Sequence, residues 1–169
     1  MRAVVAAGHH LTCEAASLML KEGGNAFDAA VAAGFASTVV EPTLSSLGGG
    51  GFMLAYKRVE GKEKLFDFFV NTSGKGRNGE IEPHFFPITV NFRDSLQDFH
   101  IGMGSVAVPG VIKGLLHIHD KLCTLPLKKI LEPAIRYARD GVVLNESQAY
   151  FLHLLEPIIT LSDTGKSIY

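Results

Sequence analysis

The sequence predicts an α+β fold. Short apolar runs that read as strands come early and in pairs, and helical patterns both precede and follow them. That order fits segregated layers better than an alternating βαβ sheet. With 169 residues, of which 47% are hydrophobic, the chain is long enough for one ordinary core. A domain of this size buries about 70% of the surface its unfolded chain exposes. One domain, or a piece of a larger one, is therefore the expectation.

Taken in order, Ala3 to Ala6 reads as a short buried strand, and Gly8-His9-His10 breaks it. A helix is expected from Thr12, with Thr12 as N-cap, Glu14 at the positive end of the dipole and Gly23-Gly24 closing it. The next helix, about Ala26 to Thr38, carries hardly any large side chains, so it should wedge closely against a sheet. Glu41-Pro42 ends it, because the residue before proline is pushed out of the α region. After Gly48-Gly49-Gly50-Gly51, the runs Phe52 to Tyr56 and Lys64 to Val70 predict a hairpin turning at Glu60-Gly61-Lys62. Asn71 to Asp98 reads as a long surface loop with one short strand at Ile88 to Phe92. Three helices follow: Pro109 to Leu122, Leu127 to Arg139 split by Pro133 and capped by Gly141, and Glu146 to Leu155.

Composition narrows the function. Sixteen basic against 17 acidic residues give no electrostatic reason for nucleic acid or an anionic membrane as partner. Cys13 and Cys123 lie far apart without metal-ligand spacing and are expected to be buried thiols, so neither a zinc site nor a disulfide framework is suggested. The longest apolar run, Ala29 to Val40, is too short for a bilayer span, and no leader pattern opens the chain. As written the chain is expected to be cytoplasmic, or periplasmic or secreted if a leader was removed.

Few residues carry chemistry by pattern alone. The four glycines lack the preceding strand, following helix and Gly-Lys-Ser/Thr ending of a phosphate loop. They are expected instead to let two backbones approach closely, or to supply positive φ before the strand. His9-His10 and His117-x-His119 diverge too far to ligate one metal, so no metal and no cofactor are expected. Asp28, amid alanines, must find hydrogen-bond donors or stay at the rim, and a structural role is the favoured reading. Lys75, Arg77 and Asn78 form a basic group on a glycine-rich loop, a candidate anion contact. Spacing assigns no catalytic residue in the chain.

Longer blocks add a resemblance. Glu22 to Ala33, Val40-Glu41-Pro42, Leu47 to Met53, Gly104 to Gly110, and Leu125-Pro126 through Leu131 to Ile135 resemble, in order and spacing, the start of γ-glutamyltransferases. The resemblance implies the N-terminal portion of an αββα N-terminal nucleophile hydrolase sandwich, in which a precursor cuts itself into large and small subunits. It also implies a threonine nucleophile that begins the small subunit, far beyond residue 169, so the expected partner is a missing C-terminal segment or small subunit. A homo-oligomer stays open, and the ligand would be a small molecule. The family's arginine that pairs with the γ-glutamyl α-carboxylate matches Phe69 here, within Asp67-Phe68-Phe69-Val70-Asn71. A phenyl ring cannot replace a bidentate guanidinium. Phe69, Asn71 and Arg77 are accordingly the expected substrate-binding residues, and Asp28 with Gly48, Gly49, Gly50 and Gly51 the structural ones. The alternative function is a non-catalytic binding or vestigial module on the same scaffold.

Overall fold

The computed structural model describes residues 3–79 and 82–169. Helix α1 spans His10–Lys21 and α2 spans Ala26–Val40. Strands β1 (Phe52–Lys57) and β2 (Lys62–Asp67) form an antiparallel hairpin that pairs Phe52 with Asp67 and Lys57 with Lys62. The two-residue strand β3 (Asn71–Thr72) is followed by the hairpin β4 (Phe86–Asn91) and β5 (Leu96–Ile101), and β6 (Ala107–Val108) returns to pair with β3. Four helices complete the chain: α3 (Val111–Leu122), α4 (Leu127–Asp140), α5 (Glu146–Ile159) and α6 (Asp163–Ile168). Helices with small antiparallel sheets make an α+β fold, as the sequence predicts. The chain divides into two compact units, Met1–Val70 with Pro109–Val143, and Asn71–Val108 with Leu144–Tyr169.

In the first unit α2 is the hub. Val31, Ala32, Ala36 and Val40 are fully buried, and the helix packs chiefly on α1 and α4, then on α3. This corrects the expectation of a sheet partner. Small side chains do permit the close approach, but it is helices that exploit it: a Cβ on Gly34 would sit 3.0 Å from the Leu115 side chain of α3. The apolar stripe of α4, Ile130, Pro133, Ala134 and Tyr137, completes the core at helical spacing. Burying a side chain as large as Ile130 or Ile118 contributes about 1.5–3 kcal/mol.

Several local expectations change. Residues 3–7 form no strand among the described residues, and Val4 is almost fully exposed, because no neighbouring strand takes up their ladder bonds. Helix α1 starts two residues earlier than expected, with His9 as N-cap accepting the Leu11 N–H through Nδ1 at 3.2 Å. Thr12 is instead buried and donates its hydroxyl to Glu41 at 3.0 Å, while Glu14 lies beyond the first turn and pairs with Arg136. The helix ends as expected: Gly23 at φ 87° donates to Leu20, and Gly24 donates to Met19. Pro133 does not split α4. It forfeits one backbone bond, but the buried face on either side of it holds the helix continuous, and Gly141 caps it at φ 79°.

The second unit departs furthest from the reading of a long loop. Its segment 71–101 contains the hairpin of β4 and β5, closed by the Phe92 N–H donating to Ser95 and by Arg93 at φ 73°. The Thr89 hydroxyl donates to Asp98 across the pair at 2.7 Å, Phe92 stacks on Phe99, and α5 packs on β4. Only Val90 of these strands is buried, so their apolar alternation is weak in the sequence.

Candidate functional site

Asp28 is fully buried at the first turn of α2 and accepts four hydrogen bonds. Oδ2 takes the Asn25 N–H at 2.6 Å and the Thr124 hydroxyl at 2.7 Å; Oδ1 takes the N–H groups of Thr124 and Leu125, each at 2.9 Å. Asn25 closes the capping box through the N–H groups of Phe27 and Asp28, and its own amide donates to the Leu122 carbonyl at 2.8 Å. One carboxylate thus ties the start of α2 to the turn between α3 and α4. Burial by itself would raise its pKa, but the donors from Leu125, Thr124 and Asn25 outweigh burial and hold the carboxyl below its ordinary value. The adjacent Cys123 thiol is pushed up to about 12 by burial and by the Asp28 charge, so it is no nucleophile at neutral pH.

The glycine run is a second junction, and close approach is what it provides: none of Gly48 to Gly51 has positive φ. Gly51 and Phe68 exchange backbone hydrogen bonds at 3.1 and 3.3 Å, extending the hairpin by one pair. The Gly49 carbonyl accepts the N–H groups of Gly110 and Val111 at 2.9 and 3.0 Å, fixing the start of α3. A Cβ on Gly50 would lie 2.5 Å from the Val70 nitrogen, and one on Gly110 would lie 1.9 Å from the Phe68 carbonyl oxygen. The Phe68 ring occupies the space that a side chain on Gly114 would need. Beside this junction lies a cavity of about 320 Å³ lined by Pro42 to Ser46, Gly49, Gly50 and Val111.

Phe69 follows directly. Its ring is half-exposed and stacks on Phe52 at 5.3 Å with a 12° interplanar angle, while its N–H donates to the Asp67 carboxylate at 3.0 Å. Asn71 and Arg77 belong to the second unit. Asn71 is exposed and pairs with Val108 in β3 and β6; Arg77 is exposed on a loop where Gly74, Gly76 and Gly79 all have positive φ. Among the described residues Arg77 forms no ion pair. Of the candidate imidazoles, His9 caps α1, His117 meets the Phe66 ring edge-on, and His119 Nε2 lies 3.0 Å from the Leu125 carbonyl, while His10 is exposed beside the His9 ring. Pattern reading missed Thr124 and Leu125 as partners of Asp28, because residues 96 and 97 positions away carry no local signal.

The sequence profile described as Gamma-glutamyltranspeptidase matches residues 12–169. The chain belongs to that family. Among relatives of this γ-glutamyltranspeptidase-family chain, the "Glutathione hydrolase proenzyme" of Escherichia coli (strain K12) is 39% identical over 78% of the chain and 21% of its own length. The "Capsule biosynthesis protein CapD proenzyme" of Bacillus anthracis is 36% identical over 92% of the chain and 25% of its own length. The chain thus spans about a quarter of the length of these curated relatives. The crystal structure of Helicobacter pylori γ-glutamyltranspeptidase superposes with a TM-score of 0.78 at 27% identity, covering 99% of the chain and 47% of that structure. That of the Bacillus anthracis transpeptidase CapD gives 0.75 at 32%, covering 97% and 48%. The fold is accordingly the N-terminal portion of the αββα N-terminal nucleophile hydrolase sandwich. Among the described residues no helix is long and apolar enough to cross a membrane.

Asp28→Asn replaces an acceptor by a donor facing N–H and O–H groups, and should cost about 3 kcal/mol in chemical denaturation. Because the folded carboxyl is held low, the Asp28 contribution is complete at neutral pH. It should be lost only as the pH falls below about 4, so the gap between the two proteins narrows there. Gly50→Ala, which meets backbone, should cost more than about 2 kcal/mol, whereas Gly48→Ala, whose nearest neighbour is 3.7 Å away, should stay within about 0.5 kcal/mol.

Proposed function

We propose that this chain, residues 1–169, is the N-terminal part of the large subunit of a γ-glutamyltransferase-like enzyme. The enzyme would hydrolyse or transfer the acyl group of γ-glutamyl amides of the glutathione type. The nucleophile of that reaction is a threonine at the start of a small subunit outside these residues, its own amine serving as general base. What this chain supplies is the scaffold: the Asp28 junction and the glycine junction that fix α2, α3 and the first hairpin.

The observation that carries this reading is the two-sided hairpin. Met53, Ala55 and Phe66 face the core, yet Phe52, Leu54, Tyr56 and Leu65 on the opposite face are also apolar and more than half exposed. A sheet apolar on both faces is built to be covered on both. We assign the cover to the small-subunit segment. Phe69 lies at the edge of this face, stacked on Phe52. In this reading it replaces the carboxylate-binding arginine and leaves Arg77, with Asn71, as the anion contact. The names of the acylase relatives, such as "Acylase ACY 1 proenzyme" of a Pseudomonas species at 35% identity, support acyl groups other than γ-glutamyl.

The intact mass of the natural gene product, with any co-purifying polypeptide, tests the assignment: a product ending at Tyr169 with no threonine-initiated partner overturns it. In the assembled enzyme Phe69→Arg should raise affinity for a γ-glutamyl anilide; unchanged kinetics would place Phe69 away from the clamp. Arg77→Ala should raise KM with little change in kcat, the mark of lost uniform binding. A fall in kcat alone counts against that role.

A further inference from the structure

The core-facing side of the first hairpin does not stay apolar to its end. Beyond Ala55 it carries Lys57 on β1, directly opposite Lys62 on β2, and Lys64 two residues further along the same face. Like charges directly opposed across a strand pair are destabilising. Lys121, in the last turn of α3, joins the three, and Phe27 and Leu122 supply an apolar floor; together they line a cavity of about 320 Å³.

Two carboxylates, Glu60 and Glu63, also line this cavity. Glu60 pairs with Lys57 at 2.5 Å, and its carboxyl is held below the ordinary range first by that hydrogen bond and charge, with further pull from Lys62 and Lys64. All four lysines line this one cavity. Among the described residues Lys62, Lys64 and Lys121 form no ion pair, and Lys64 instead sits over the Phe66 ring at 4.8 Å. Four ammonium groups against two carboxylates leave a local excess of positive charge in a chain whose net charge is -1.

We propose that this pocket binds the phosphate group of a small anionic molecule, at a site separate from the Phe69 region and independent of the acyl-transfer reading. Lysines are compact point charges suited to phosphate, whereas planar carboxylates favour the arginine fork, and no arginine lines this pocket. An anion between Lys57 and Lys62 turns their repulsion into shared attraction. The apolar floor accommodates an organic portion carried by the phosphate.

The test is calorimetric titration of the natural full-length protein with pyrophosphate at constant ionic strength, alongside its thermal melt. Saturable binding is expected, weakened at least about tenfold by Lys62→Gln with Lys121→Gln and unchanged by Lys128→Gln, whose residue lies on α4 outside the pocket. Lys62→Gln alone should diminish the rise in melting temperature that pyrophosphate produces. Absence of saturable heat, equal weakening by Lys128→Gln, or an equal melting rise with chloride at matched ionic strength overturns the site. Tighter binding of citrate than of pyrophosphate overturns the assignment to phosphate.

Discussion

A single buried carboxylate constrains the first unit. Asp28 is withdrawn from water in a helix of alanines and survives there as an anion because four donors, from Asn25, Thr124 and Leu125, are aimed at it. Those donors come from two places nearly a hundred residues apart in sequence. The ion therefore does two jobs at once: it completes the N-terminal cap of α2, and it pins the turn from which α4 departs. With that turn placed, the stripe of Ile130, Ala134 and Tyr137 meets the small-residue face of α2, and the helical layer closes. An apolar replacement would have to supply partners for three backbone N–H groups, which explains why a charge sits in the core at all.

The sequence made some of this legible and hid the rest for physical reasons. Strong local signals were readable: the alanine-rich helix, the Gly23-Gly24 stop, the first hairpin and the Gly141 cap all rest on rules that act within a few residues. Asp28 could be singled out because a carboxylate among alanines demands partners, but the partners themselves could not be named. The hairpin of β4 and β5 escaped because its strands are mostly exposed and half polar, so pairing rather than burial defines them. Thr12 misled as a cap because its hydroxyl is taken by Glu41, a tertiary contact, and His9 supplied the local acceptor instead. Of the expected binding residues, Phe69 was visible only against the family pattern. Its stacking on Phe52 depends on a neighbour seventeen positions away that the run of apolar residues disguised.

The first hairpin also shows how one short sheet can carry three surfaces. Its core-facing side changes from Met53, Ala55 and Phe66 to lysines as it leaves the helices, and its outer side is apolar from Phe52 to Tyr56. Strand alternation keeps these surfaces separate although they share twelve strand residues. A slip of one residue would exchange them, placing lysines against the outer apolar surface and Leu54 against the helices. The pairing of Gly51 with Phe68, added to the six ladder pairs, holds the register against that slip.

The docking of Phe68 has a consequence for how residue 69 can vary. The Phe68 ring fills the hollow left by Gly114, and its carbonyl lies against Gly110, so this residue is keyed into the helix on one side of the hairpin while its successor points elsewhere. The backbone at position 69 is thus held from its neighbour, from the Asp67 carboxylate that accepts its N–H and from Gly50 packed against it. Such an arrangement anchors this corner of the hairpin through Phe68, so a substitution at 69 leaves the contacts of Phe68 with Gly110 and Gly114 in place.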